Sequence, residues 1–185
     1  GVTPKPYFVD DTRAFIDYGV LMMEYLAGES FDYRRDLLGA ADLFARIHET
    51  HVPAEENHLI AETTPLTMTY EECARLLPVY LTSSRADPEL RDYLQEVLDW
   101  AEQARHQESY FVADPIPCII NTEVNSGNFI VNREQRTIHL VDWEMPRWGD
   151  PSQDLSHFCA PLTTLWKTTF RMTEQQKRAF LETYK

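Results

Sequence analysis

The apolar residues of this chain change their period as the sequence advances. PYFVD (6–10) and RAFID (13–17) are short apolar-rich runs, and GVLMMEYL (19–26) is a stronger one. Each reads as a strand, with a hairpin turn around Asp10–Thr12 and a turn at AGES. From Phe31 to Thr50 the pattern becomes helical. Leu37, Leu38, Ala41, Phe44 and Ile47 recur along one face, while Arg34, Arg35, Asp36 and Arg46 take polar positions. HVPAEENHLIAETTP reads as a loop. Thr69 and Glu72 have capping-box spacing and predict a helix from there to about Thr82, with Pro78 kinking or shortening it. Asp87 before Pro88 predicts an N-cap with proline at the first helical position. That helix extends to about His106 on a stripe of Leu90, Tyr93, Leu94, Val97, Leu98 and Ala101.

ADPIP (113–117) breaks the chain. Then come CII (118–120), the polar loop NTEVNSG, NFIVN (128–132), the turn REQR and TIHLVD (137–142). The last two apolar runs predict a β-hairpin with a polar loop on one side and an acidic one on the other. GDPSQDLSHF begins a helix, APLTTLWKTTF continues irregularly, and Thr173 caps a final amphipathic helix carrying Phe180 and Leu181. Strands, helices, a hairpin and helices again make an α+β fold, with chemistry expected in the loops flanking the hairpin.

Composition narrows the partners. A chain of 185 residues that is 43% hydrophobic and 12% aromatic is globular, and its apolar runs are too short to span a bilayer. The formal charge of −13 argues against nucleic acid or anionic lipid as a partner. Ordinary solubility accounts for such a charge, which would also suit a cationic small-molecule substrate. Cys73, Cys118 and Cys159 are too scattered for a disulfide framework and fit a reducing, cytoplasmic setting. His48, His51 and His58 lack the cysteine or carboxylate support of a zinc site. His157 is expected to pack near the final helices, and the four tryptophans, Trp143 and Trp148 among them, to serve as core or pocket wall. Glu55, Glu56, Glu62, Glu71 and Glu72 are expected to form a solvated face, with a role in holding a cationic substrate left open.

The hairpin carries the chemistry. Asn128 begins one strand and Asp142 ends its partner, so an antiparallel pair brings them to one edge. Glu123 stands five residues ahead of Asn128. An amide oxygen and a carboxylate suit a hard cation, Mg²⁺ with nucleotide phosphates completing its shell. Glu123 is then placed to orient or deprotonate an incoming hydroxyl. Glu144 reads either as a second carboxylate beside the metal or as a surface residue, with the surface reading slightly favoured.

This spacing resembles that of the aminoglycoside phosphotransferases and choline kinases, small-molecule kinases of the protein-kinase-like fold. Their catalytic loop H-x-D-x-x-x-x-N precedes a hairpin ending in I-D-W or I-D-F. Here Asn121-x-Glu123-x-x-x-x-Asn128 is followed by HLVDWE. GDPSQDLSHF is similar to the family's G-D-P-x-x-D-L-A, LMMEYLAGES to its adenine-holding strand and hinge, and LLGAADLFARIHET to the long helix after it. The resemblance covers about Pro6 to Phe158. It implies an ATP- and Mg²⁺-dependent transfer to a small-molecule hydroxyl. It implies Glu123 in the place of the catalytic aspartate, Asn128 and Asp142 as metal ligands, and Asn121 and Asp154 as support for the catalytic loop. It implies Met23, Glu24, Leu26 and Ile130 around the adenine.

The resemblance divides the chain into residues 1–27, the last strands and hinge of an N-terminal lobe, and 28–185, a helical C-terminal lobe with the catalytic loop and metal-binding hairpin. No glycine-rich loop or strand lysine precedes the hinge, and the chain opens on Gly, so it reads as a lobe of a longer kinase. Two readings follow from the same residues. One is an enzyme lobe. The other is a catalytically inactive kinase-like module that binds nucleotide or a partner, because Asn121 and Glu123 replace the family's histidine and aspartate.

Overall fold

The computed structural model describes residues 1–185. Strands β1 (Pro6–Asp10) and β2 (Val20–Met23) pair antiparallel, and β3 (Glu29–Ser30) leads into helix α1 (Tyr33–His48). Strand β4 (Ile60–Ala61) precedes helices α2 (Pro65–Leu81), α3 (Arg91–Ala104) and α4 (Glu108–Ala113). Strands β5 (Cys118–Ile120), β6 (Phe129–Asn132), β7 (Thr137–Leu140) and β8 (Arg147–Gly149) follow. Helices α5 (Ser152–Cys159), α6 (Pro161–Thr164) and α7 (Glu174–Tyr184) complete the chain. The expected α+β order is present.

The strands form three small sheets, ordered β1-β2, β3-β6-β7 and β4-β8-β5. The β6–β7 hairpin has the register Phe129↔Leu140 through Asn132↔Thr137. One further bond, Val141 N–H to the Asn128 carbonyl at 2.8 Å, carries the ladder to the edge where Asn128 and Asp142 sit. Both residues were expected at that edge.

Helix α1 lies at the centre because its apolar stripe is wide. Leu37, Ala40, Ala41, Leu43, Phe44 and Ile47 are all buried, against α7, β5 and β7. Phe31, Tyr33, Phe44, Phe129, Phe158 and Phe180 join across these elements, with ring centroids 4.9 to 6.2 Å apart. Fully burying such rings is worth about 1.5–3 kcal/mol each. The start of α1 is capped twice: Asp32 accepts the Arg34 N–H, and Asp36 reaches back to the Asp32 N–H, both at 2.9 Å. Arg133, in the hairpin turn, then grips Asp36 with two nitrogens at 2.6 and 3.1 Å and Glu29 at 2.9 Å. This fork fixes the hairpin against the helix.

Several sequence expectations shift. RAFID is not a strand. The Asp10 carboxylate takes both the Thr12 N–H and its hydroxyl, turning the chain out, and Phe15 stays 93% exposed. The Thr69–Glu72 capping box does not form, because α2 begins earlier, at Pro65. The Glu108 carboxylate caps that end by accepting the Leu66 and Thr67 N–H groups at 3.1 and 2.7 Å. Thr69 instead donates to the Pro65 carbonyl. Pro78 sits inside α2. The loop after α1 contributes β4, which pairs parallel with β8. The expected capping of α7 by Thr173 is present, as a full capping box with Gln176.

Candidate functional site

The loop from Asn121 to Asn128 is held from beneath by one buried carboxylate. Asp154, on α5 and 0% exposed, accepts the N–H groups of Asn121 and Thr122, each at 2.8 Å. His48, near the end of α1, approaches the same carboxylate at 3.5 Å and meets the Tyr184 hydroxyl at 3.0 Å through its other nitrogen. His48 is therefore part of the loop's support, and its partners explain it without zinc.

Asn121 couples the loop to the hairpin end. Its buried amide donates to the Asp142 carbonyl at 3.0 Å and accepts the Glu123 N–H at 3.1 Å. Asn128 donates its amide N–H to the Glu123 carbonyl at 2.7 Å. A carbonyl can only accept, so this bond fixes which end of the Asn128 amide is nitrogen and leaves its oxygen on the other side.

Two residues of this edge adopt left-handed backbone conformations, Thr122 with φ 73° and Asp142 with φ 63°. Each costs about 1–2 kcal/mol, more for a β-branched residue. The neighbourhood imposes them. Thr122 is held by Asp154, by His157 on its carbonyl at 2.9 Å, and by its own hydroxyl on the Met145 carbonyl at 3.1 Å. Asp142 is held through Asn121. Strain of this kind concentrates at functional sites.

The result is an open acidic edge on a rigid floor. Glu123, Asp142 and Glu144 are exposed, yet their carboxylate oxygens lie within 4.8 Å of one another. Glu144, read either as a metal-side carboxylate or as a surface residue, is exposed and belongs to this group. Asn128 and Asp142 were expected together, and both line a cavity of about 480 Å³ with Glu123, Asn125, His157, Trp166 and Lys167. Glu123 also lines a second cavity, of about 700 Å³, with Glu62, Glu71, Glu72, Arg75 and Arg147. The acidic side chains expected to form a solvated face are thus partly gathered in a groove.

One of these side chains, Lys167, was not singled out from sequence. It sits with Trp166 in the segment read as irregular; Trp166 was expected as core or pocket wall, and His157 to pack near the last helices. A Cβ on Gly127 would collide with the Lys167 ammonium, so glycine there lets the lysine come down over the loop. The signal for Lys167 lies only in that long-range approach.

The expected adenine-side residues lie on β2, on the segment that follows it and on β6. Met23 ends β2 and is exposed, and the Glu24 N–H bonds to the Lys5 carbonyl at 2.8 Å. Leu26 is half-buried. Ile130 pairs with Ser30, and a Cβ on Gly28 would lie 2.6 Å from its methyl and 2.8 Å from the Val131 carbonyl. The hinge approaches β6 closely because residue 28 has no side chain.

A family model described as "Phosphotransferase enzyme family" matches residues 1–184. Among solved structures, the aminoglycoside phosphotransferase APH(2'')-Ib with ADP bound is 15% identical. The match covers 98% of this chain and 59% of that one, with a TM-score of 0.61. An ethanolamine kinase from Plasmodium vivax is 15% identical over 100% of this chain and 53% of its own, with a TM-score of 0.63. A choline kinase from Cryptosporidium parvum is 13% identical, covering 100% and 57%, at 0.60. At these identities the likeness is one of fold, the protein-kinase-like fold that the sequence resembles. The chain spans between half and three-fifths of the length of these relatives. A search of curated protein sequences finds no match.

Proposed function

The chain belongs to the phosphotransferase enzyme family, and from that premise we propose that it transfers phosphate from ATP to the hydroxyl of a small molecule. The observation that carries this reading is the place of Glu123. It stands between a cavity holding Asn128 and Asp142 and an acidic groove with room for an acceptor.

In this reading the cavity beside Asn128 and Asp142 faces the nucleotide phosphates. Those two side chains offer oxygens, with Glu144 near by, and a set of hard oxygen donors fits Mg²⁺. Bound Mg²⁺ would supply positive charge against the phosphate oxygens. Glu123 orients the acceptor hydroxyl and takes its proton on a carboxylate oxygen as the hydroxyl oxygen attacks the γ-phosphorus; the bond from that phosphorus to the β–γ bridging oxygen breaks and ADP leaves. Lys167 brings a second positive charge over the loop. Asn121 and Asp154 touch no reactant; they hold the backbone that carries Glu123. Met23, Glu24, Leu26 and Ile130 form the adenine side. Phosphoryl transfer depends mostly on such positioning and on electrostatics. Glu62, Glu71 and Glu72 in the groove favour an acceptor that carries an amino group.

A second reading, a nucleotide-binding module without catalysis, draws on Glu123 and Asn121 standing where the resembled family has aspartate and histidine. The two separate in one experiment. With the intact gene product, ATP and a panel of amino-alcohols and aminoglycosides, the enzyme reading expects acceptor-dependent ADP release. It also expects Glu123→Gln to lower kcat by about 100-fold or more. Turnover unchanged in Glu123→Gln contradicts the role of Glu123. Nucleotide binding without turnover of any acceptor favours the module.

A further inference from the structure

A separate cavity of about 350 Å³ lies between β4, β8 and the stretch joining α4 to β5. Its walls are largely apolar, with Phe111, Val112 and Ile116 on one side and Trp148 on another. Glu62 breaks this pattern. Its N–H bonds to the Trp148 carbonyl at 2.8 Å, so its backbone extends the β4–β8 pairing. Its side chain is nearly buried, at 8% exposure, and Oε2 is wholly enclosed with no hydrogen-bond partner. The ion pairs of the chain all involve other carboxylates. Burial pushes the Glu62 carboxyl up from its ordinary value; the charge of Arg147 opposes this, and Asp154 and Glu108 add to it.

The fold makes room for this carboxylate. A Cβ on Gly149 would lie 3.3 Å from the Glu62 Cβ, 3.4 Å from its Oε2 and 2.8 Å from the Ile120 methyl. Asp150 also lines the cavity and adds negative potential, with one carboxylate oxygen accepting the Ser152 N–H. A buried carboxylate without a partner is costly, and a cationic hydrogen-bond donor removes that cost. The walls select among donors. A bare divalent metal needs several oxygens, which apolar walls do not offer. A polyol would leave hydroxyls unpaired against Phe111 and Ile116.

We propose that this cavity binds a primary ammonium ion carried on a small aryl or alkyl body, with Glu62 as its counter-ion. The site needs neither nucleotide nor divalent metal, although it shares Glu62 with the groove of the phosphotransfer reading. Glu62 also lines the groove containing Glu123, so a ligand here sits one side chain away from it.

The test is calorimetric titration of the intact gene product with 2-phenylethylammonium, without nucleotide or divalent metal, at about pH 7, where the amine is charged. Two controls divide the ligand: 2-phenylethanol keeps the body without the charge, and methylammonium keeps the charge without the body. Saturable binding is expected, about tenfold or more weaker for each control, and weaker by a similar factor in Glu62→Gln. Val112→Trp, at the exposed rim, should block the cavity and abolish binding with little change in melting temperature. It serves as the independent variant if Glu62→Gln folds poorly. No saturable binding, equal affinity for 2-phenylethanol, or unchanged affinity in Glu62→Gln would overturn the proposal. Unchanged affinity in Val112→Trp would also overturn it, by placing the amine in the acidic groove instead.

Discussion

The loop that carries Glu123 and the N-terminal ribbon are built on opposite principles. The Asn121–Asn128 loop is exposed at Glu123 and Gly127 and is otherwise buried or half-buried. Its backbone is tied down by the buried Asp154, by Asn121 and by His157, and two of its surroundings' residues are held in strained conformations. By contrast, β1 and β2 form a separate two-stranded ribbon whose apolar side chains stand open. Tyr7, Phe8, Val9, Leu21, Met22 and Met23 are all exposed. A lone two-stranded ribbon is marginal in water. The acidic edge is thus preformed by the elements beneath it, whereas the ribbon draws little stability from its surroundings. Geometry is expected to survive in the loop and to yield in the ribbon.

The largest effect that would break this contrast comes from Asp154. Asp154→Ala leaves two buried N–H groups unpaired at a strained turn. A loss of about 3–5 kcal/mol is expected in denaturant unfolding, with rapid amide exchange at Asn121 and Thr122. A loss below about 1 kcal/mol would mean that the loop does not depend on its floor.

The next effect concerns the clamp between the hairpin turn and α1. Burial raises the Asp36 carboxyl, but the Arg133 fork and the Asp32 N–H outweigh it, so its folded value lies below the ordinary one of 3.8. A depressed folded value stabilises at pH above the ordinary value, and that contribution is lost as pH falls through the folded one. Stability measured by urea unfolding should therefore decline from about pH 4 downward. In Arg133→Met the decline should be shallower, and stability near neutral pH should be lower by roughly 1–3 kcal/mol.

The smallest effect is expected on the ribbon. Leu21→Ala should cost within about 0.5 kcal/mol, because Leu21 is 52% exposed and leaves no core cavity. A cost above about 2 kcal/mol would show that the ribbon is packed as firmly as the acidic edge.

Local pattern made much of this legible. The wide stripe of α1, the capping box at Thr173 and the alternation in NFIVN and TIHLVD each contain their own cause, and the hairpin register then follows. Asn128 and Asp142 could be placed together because an antiparallel pair leaves little choice. The start of α2 could not be read, because its cap is Glu108, a residue 41 to 42 positions away. Strands β4 and β8 were hidden for a similar reason: two- and three-residue strands carry no periodicity and exist only through each other. His157 and Lys167 reach the site by tertiary approach, and Glu62 looked like one more acid of a solvated face until the fold buried it.

The central claim is that the edge formed by Glu123, Asn128 and Asp142 receives a metal-bound nucleotide phosphate. Calorimetric titration of the intact gene product with ADP, with and without Mg²⁺, tests it most directly when wild type is compared with Asp142→Asn. The account predicts saturable, Mg²⁺-dependent binding that weakens by about tenfold or more in Asp142→Asn. Binding that ignores Mg²⁺, or is unchanged in Asp142→Asn, would contradict it.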